Sequence, residues 1–184
     1  MRALWEATRE WHHACEEHSI GQLMTKGQIT PQQWADWLYG FYEIHVAVDR
    51  KLNTNMDRRD KFQKDFDYLY EQYGVRPSFS AAASKFRDEL LVGSEKDLMG
   101  AAYVIHGAHR RGGAMLRKKM EQLGLPCLHT LYDDPKDAEA FVKKVSEDVS
   151  LSEAAVKCFE TLYEVMNEIE KRDSVARLPQ APVN

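Results

Sequence analysis

Apolar residues recur at i, i+3 and i+4 along almost the whole 184-residue chain, and no segment alternates convincingly with period two. That pattern predicts an all-α protein. A first helix runs from about Arg2 to His18 and stops near Gly21, with Leu4, Ala7, Trp11, Ala14 and Cys15 as its apolar stripe. Thr30-Pro31-Gln32-Gln33 then supplies an N-cap, a proline at the first helical position and a glutamine at the third, opening a second helix that extends to about Asn55. A third spans Arg59 to Tyr73 before Gly74, and a fourth Ser80 to Val92 before Gly93. Ser94 with Asp97 opens a long fifth helix reaching Leu123, where Gly124 and Pro126 end it. Asp134-Pro135 starts a sixth, and a seventh covers about Leu151 to Arg172. The expected organisation is one seven-helix bundle over residues 1–174 and a frayed tail over 175–184.

Composition agrees with a packed domain: 43% of residues are hydrophobic and 29% charged, so the chain can bury a core. The net charge of −4 removes the global basic excess of a dedicated nucleic-acid binder. No apolar run approaches the ~18 residues of a membrane span, and the opening MRALWEATREWHH lacks a basic-then-apolar signal. Neither a membrane nor export is indicated, and a cytoplasmic protein is expected. Cys15, Cys127 and Cys158 are odd in number and widely spaced, which describes neither a disulfide framework nor a zinc knuckle.

Two segments break the helical pattern. His106-Gly107-Ala108-His109-Arg110-Arg111-Gly112-Gly113 carries three glycines inside the fifth helix, each costing on the order of 1 kcal/mol relative to alanine. They mark a kink where a flat ligand lies against the backbone, or a helix crossing, or a loop between two helices. Arg110 and Arg111 could neutralise an anionic ligand or lie on a solvated face. In the first helix, His12 falls at the edge of the apolar stripe beside Trp5, Thr8 and Arg9, with Glu16 one turn on. There the carboxylate can fix the tautomer of a metal-ligating imidazole, or serve as an ordinary i,i+4 partner. Trp34, Trp37, Phe41 and Ile44 read as core, and the run Asp57 to Lys61 as a solvated helix start.

The run Leu4-Trp5-Glu6-Ala7-Thr8-Arg9-Glu10-Trp11-His12 resembles the opening helix of the heme oxygenases, L-x-E-A-T-[KR]-x-x-H. Lys26-Gly27-Gln28-Ile29-Thr30 is similar to that family's K-G-Q-[VI]-T turn, and Leu38 to Ala47 to its L-x-x-x-Y-x-[IV]-Y-x-A segment. Ala102 to Gly107 followed by Gly112-Gly113 resembles the glycine-bearing distal helix of bacterial members. The resemblance implies heme as both cofactor and substrate, held between the first helix and a kinked distal one and opened to biliverdin with release of iron and carbon monoxide. It implies His12 as the proximal iron ligand with Glu16 beside it, Tyr42 as a phenol near the heme, and Arg9, Lys143 and Lys144 as propionate contacts. Gly107, Ala108, Gly112 and Gly113 would form the close distal wall. An external ferredoxin or reductase would supply electrons, since no Gly-rich nucleotide fingerprint is present.

The family spaces its distal glycines G-x-x-x-G-G, whereas this chain has G-x-x-x-x-G-G. Either the extra residue forms a bulge or Arg111 replaces one close-contact glycine. The position of the family's distal aspartate is filled by Ala108 or His109, depending on alignment. His109 would then either organise distal water or ligate the iron. The second case describes a heme carrier or sensor, with His12 opposed by His109 or His106. A di-metal oxidase on the same scaffold would need inward carboxylate and E-x-x-H pairs, and Glu16, Glu43, His45 and His106 do not form one by spacing.

Overall fold

The computed structural model describes residues 3–52 and 56–176; among them are nine α-helices and no strand. In order these are α1 (Ala3–Glu17), α2 (Ser19–Lys26), α3 (Pro31–Leu52), α4 (Arg59–Tyr73), α5 (Ala81–Val92), α6 (Glu95–Gly107), α7 (Gly113–Gln122), α8 (Pro135–Val145) and α9 (Ser152–Ala176). A five-residue π-helical segment, Ala108–Gly112, joins α6 to α7. Short 3-10 turns precede α8 and α9. The expected starts of the first helix at Arg2 and end of the second at Asn55 lie outside the described residues, as does the tail beyond 176.

Local chemistry explains most boundaries. Thr30 Oγ1 accepts from the Gln33 N–H at 3.2 Å and Gln33 Oε1 accepts from the Thr30 N–H at 2.8 Å, the reciprocal cap that the sequence predicts for α3. Ser94 and Asp97 form a second such box at α6. α1 stops before His18, which leaves the helical conformation (ψ 147°) and caps α2 by accepting from the Ile20 N–H on Nδ1. The chain folds back so tightly there that a Cβ on Gly21 would stand 2.1 Å from the Cys15 carbonyl oxygen. The first helix thus ends where the sequence predicts, at about His18, and the element the sequence leaves unmarked is the short helix α2 that follows at once.

A large core joins residues of α2–α7 and α9 around Leu38, Ile44, Phe62, Ile105, Met120 and Met166. α9 lies against α1, α5, α6 and α3, and α1 is tethered to the end of α8 by the Leu4 N–H donating to the Ser146 carbonyl at 3.0 Å. α6 approaches α9 closely because Gly100 has no side chain; a Cβ there would stand 2.5 Å from the Ala154 Cβ and 2.9 Å from the Ala155 nitrogen. No helix among the described residues is long and apolar enough to cross a membrane.

Gly100→Ala is expected to lower unfolding free energy by about 1–3 kcal/mol through overpacking at this crossing, measured by urea denaturation. An unchanged midpoint would show that α9 yields without strain.

Candidate functional site

α1 and the α6–α7 pair face each other across a cavity of about 430 Å³, within the range of small-molecule sites. α1 contributes Trp5, Thr8, His12, Cys15 and Glu16 to its lining; the opposite wall carries Tyr103, Val104, Gly107, Ala108, Gly112 and Leu116. Gly21 and Met24 of α2, Trp37 and Phe41 of α3, Val142 of α8, and Phe159 and Met166 of α9 close it. Trp37 and Phe41, read from periodicity as core, therefore serve both core and cavity. The sequence marked neither, because a core face and a pocket face share one spacing.

The distal wall depends on the π-helical segment. Its backbone N–H at Gly113 donates to the Ala108 carbonyl five residues back, so the extra residue of this chain is absorbed as a wide turn. In a regular α-helix Arg111 would stand over Gly107; the wide turn puts Gly112 on the lining with it. Gly107 and Gly112 have ordinary helical dihedrals, φ −63° and −64°. Neither needs glycine for its backbone. A Cβ on either would meet nothing within 4 Å, so their value is open space facing α1. Gly113 differs: its Cβ would stand 2.8 Å from Thr130 Cγ2, and it packs against the 3-10 turn rather than the cavity.

Across the cavity, the His12 ring stands edge-on to Trp5 and Phe159, at centroid distances of 5.2 and 5.9 Å. Its Nδ1 is buried without a hydrogen-bond partner, and Glu16 Oε2 lies 3.6 Å away. His12 is the one imidazole among the described lining residues. Cys15, the thiol beside it, is pushed up to about 12 by burial and then by the Glu16 charge, which keeps it protonated and a poor ligand. Of the nitrogen and sulfur donors that α1 places on the lining, the imidazole is the better ligand.

Other expected site residues lie elsewhere. Tyr42 packs on Phe62 and Phe66 of α4, away from the cavity, and the phenol on the lining is that of Tyr103. Arg9 is exposed and paired with Glu6 at 3.3 Å. Lys143 and Lys144 are exposed on α8, directly after the lining residue Val142. Arg111 belongs to the wide turn by its backbone.

His109 points inward. It is 3% exposed, its ring 4.9 Å from Phe41, and its Nε2 is 2.9 Å from His45 Nε2. Neither His109 nor His106 lines the cavity. They join a buried cluster with His45, Asp49, His129 and Asp65, in which His45 Nδ1 donates to Asp49 Oδ2 at 3.0 Å and His129 Nδ1 to Asp65 Oδ2 at 2.6 Å. Glu43, two residues before His45, turns instead toward Ser84 and Arg87. The available signals were His45-x-x-x-Asp49 and His106-x-x-His109, each on one helix face. Burial holds His106 and His109 well below the usual imidazole range, aided by electrostatic interaction with His45 and Arg58. Burial also lowers His129, against its bond to Asp65.

With this geometry in place, comparison with known proteins is direct. The heme oxygenase family model matches residues 1–177, and the chain belongs to that family. No curated protein matches the sequence. Among solved structures, heme oxygenase-1 of the cyanobacterium Synechocystis, in complex with heme, superposes with a TM-score of 0.79 at 16% identity, covering 96% of each chain. Synechocystis heme oxygenase-2, in complex with heme and NO, gives 0.76 at 19% identity, over 96% of this chain and 88% of that one. The heme oxygenase of Leptospira interrogans gives 0.75 at 17%, over 91% and 100%. At these identities the likeness establishes the shared all-α fold.

Two outcomes follow. Gly107→Ala, at an open helical position, should raise stability by up to about 1 kcal/mol, whereas Gly113→Ala should lower it by about 1–3 kcal/mol against Thr130; thermal melts of the pair check the assignment of the two glycine faces. The second concerns pH. His106, His109 and His129 ionise below 6.5 when folded and near 6.5 when unfolded, so the unfolded chain binds more protons below that value. Their contribution is intact above about pH 6.5 and is lost as pH falls toward the folded-state values, by up to about 1.4 kcal/mol per pH unit for each imidazole. Urea midpoints measured between about pH 7 and pH 5 should fall steadily.

Proposed function

We propose that this protein is a heme-degrading oxygenase that opens heme to biliverdin and releases iron and carbon monoxide. The observation that carries the reading is the pairing of one imidazole, His12, with a side-chain-free wall at Gly107 and Gly112 across an apolar cavity. A flat, mostly apolar macrocycle suits that space, and Cβ atoms at the two glycines would project into it. Heme supplies both the iron at which oxygen is activated and the ring that is opened.

In this reading His12 holds the iron. Its buried Nδ1 takes Glu16 as partner on a small closure from 3.6 Å, fixing the tautomer that presents Nε2 as ligand. No second imidazole reaches the cavity from the described residues, which disfavours a bis-histidine carrier. Gly107, Ala108 and Gly112 would leave the wall opposite His12 free of large side chains for the ring. The apolar walls of Trp37, Phe41 and Phe159 exclude bulk water, while Tyr103 offers a hydroxyl at the lining. The exposed cations Arg9, Lys143 and Lys144, each next in sequence to a lining residue or to its neighbour, would receive the propionates. Electrons come from an external ferredoxin or reductase.

The test is a titration of the purified protein with hemin, followed by reductant in air with catalase present. A one-to-one Soret complex that bleaches into a biliverdin band is expected. His12→Ala should retain its helical content and drop to background turnover, and Glu16→Gln should lose roughly 10–100-fold in activity or affinity. A stable complex that survives reduction would replace degradation with heme binding, and full activity in His12→Ala would overturn the ligand assignment.

A further inference from the structure

The buried histidine cluster lies beyond Phe41 from the cavity, and none of its members is on the cavity lining. Within it, His45 and Asp49 stand one turn apart on α3, and His106 faces them from α6. One ligating atom from each lies within 4.8 Å of the other two. His45 and His106 are 0% exposed and Asp49 is 5% exposed. Two polar atoms of these residues, Asp49 Oδ1 and His106 Nε2, have no hydrogen-bond partner, although buried polar atoms are nearly always satisfied. The 3.0 Å between His45 Nδ1 and Asp49 Oδ2 is also the separation of two neighbouring ligands, each about 2.1 Å from one ion.

The outer nitrogens add a second argument. A ligating histidine generally uses its other nitrogen to bond a fixed partner. His45 Nε2 is 2.9 Å from His109 Nε2, and His106 Nδ1 is 2.9 Å from the Tyr132 hydroxyl. Both rings are therefore anchored on the side away from the shared space, with His45 Nδ1 and His106 Nε2 directed to it.

We propose that His45, Asp49 and His106 bind one divalent transition-metal ion, in a two-histidine, one-carboxylate site separate from the heme cavity. The ion belongs to the class that favours imidazole nitrogen. With two imidazoles and one carboxylate, the site is a poor host for calcium or magnesium, which take oxygen ligands. His109 and Tyr132 are positioning residues for the two ligands. The assignment does not depend on heme turnover.

The test uses heme-free protein and Co(II) alone as probe. The starting protein is the His12→Ala, His13→Ala double variant, because His12, His13 and Glu16 form a second, accessible group of metal-ligating atoms on α1. One equivalent of Co(II) is expected to bind with visible ligand-field bands and to raise the melting temperature, while Mg(II) and Ca(II) leave both unchanged. Adding His106→Gln should weaken Co(II) binding at least about tenfold. Asp49 Oδ2 also accepts the Arg58 N–H, so Asp49→Asn perturbs folding; the independent readout is proton NMR of the Co(II) complex of the double variant. Two hyperfine-shifted imidazole N–H signals are expected there. Absence of binding in the double variant, an unaltered affinity in His106→Gln, or fewer than two shifted imidazole signals would each overturn the site, whatever hemin does in the separate titration.

Discussion

A single hydrogen bond, from the Gly113 N–H to the Ala108 carbonyl, sets the face that α6 and α7 turn toward α1. A regular α-helix through the same residues would bring Arg111 over Gly107 and close the cavity with a long cation. The wide turn absorbs one residue, restores a glycine at that place, and leaves α7 continuing in the helical direction. It also fixes where the other side chains go. Gly107 and Gly112 look into the cavity, Gly113 packs on Thr130, and His109 enters the core.

The two sides of this helix thus have opposite chemistry. Toward α1 the wall has little but backbone and apolar carbon, facing one imidazole whose Nδ1 lacks a partner. Toward α3 and α4 the wall is polar and buried, with four histidines and two aspartates in direct hydrogen-bond contact or ring contact. Such a cluster is expensive to bury unless its members satisfy one another. Most do: Asp65 accepts from His129 and from two backbone N–H groups, and Asp49 from His45 and the Arg58 N–H. The unsatisfied atoms concentrate between Asp49, His106 and Arg58.

Family membership and the observed sites bear on each other through position. His12 reaches the cavity because α1 is held at both ends, by the Leu4 to Ser146 bond and by the fold-back at His18 and Gly21. Arg9, Lys143 and Lys144 are exposed and lie outside the lining. Tyr42, by contrast, packs against Phe62 and Phe66 where α3 meets α4 and is not on the cavity lining.

The sequence by itself determined the all-α class and the starts of α3, α4, α5 and α8 to within a residue or so, and it singled out His12 and the distal glycines as candidates. Those features are written in local chemistry: periodicity, capping side chains, proline and glycine. It left the distal glycines open between a bulge and an arginine substitution, because both conformations satisfy the same residues locally and only the approach of α1 and the 3-10 turn distinguishes them. It left α2 unmarked, since eight residues directly after a helix end carry too short a periodic pattern to stand out as a helix of their own. The division of apolar residues between core and cavity, and the meeting of His45, Asp49, His106, His109 and His129 from three separate segments, were decided by tertiary structure alone. Periodicity reports which face of a helix is buried; what that face is buried against depends on elements tens of residues away in the chain.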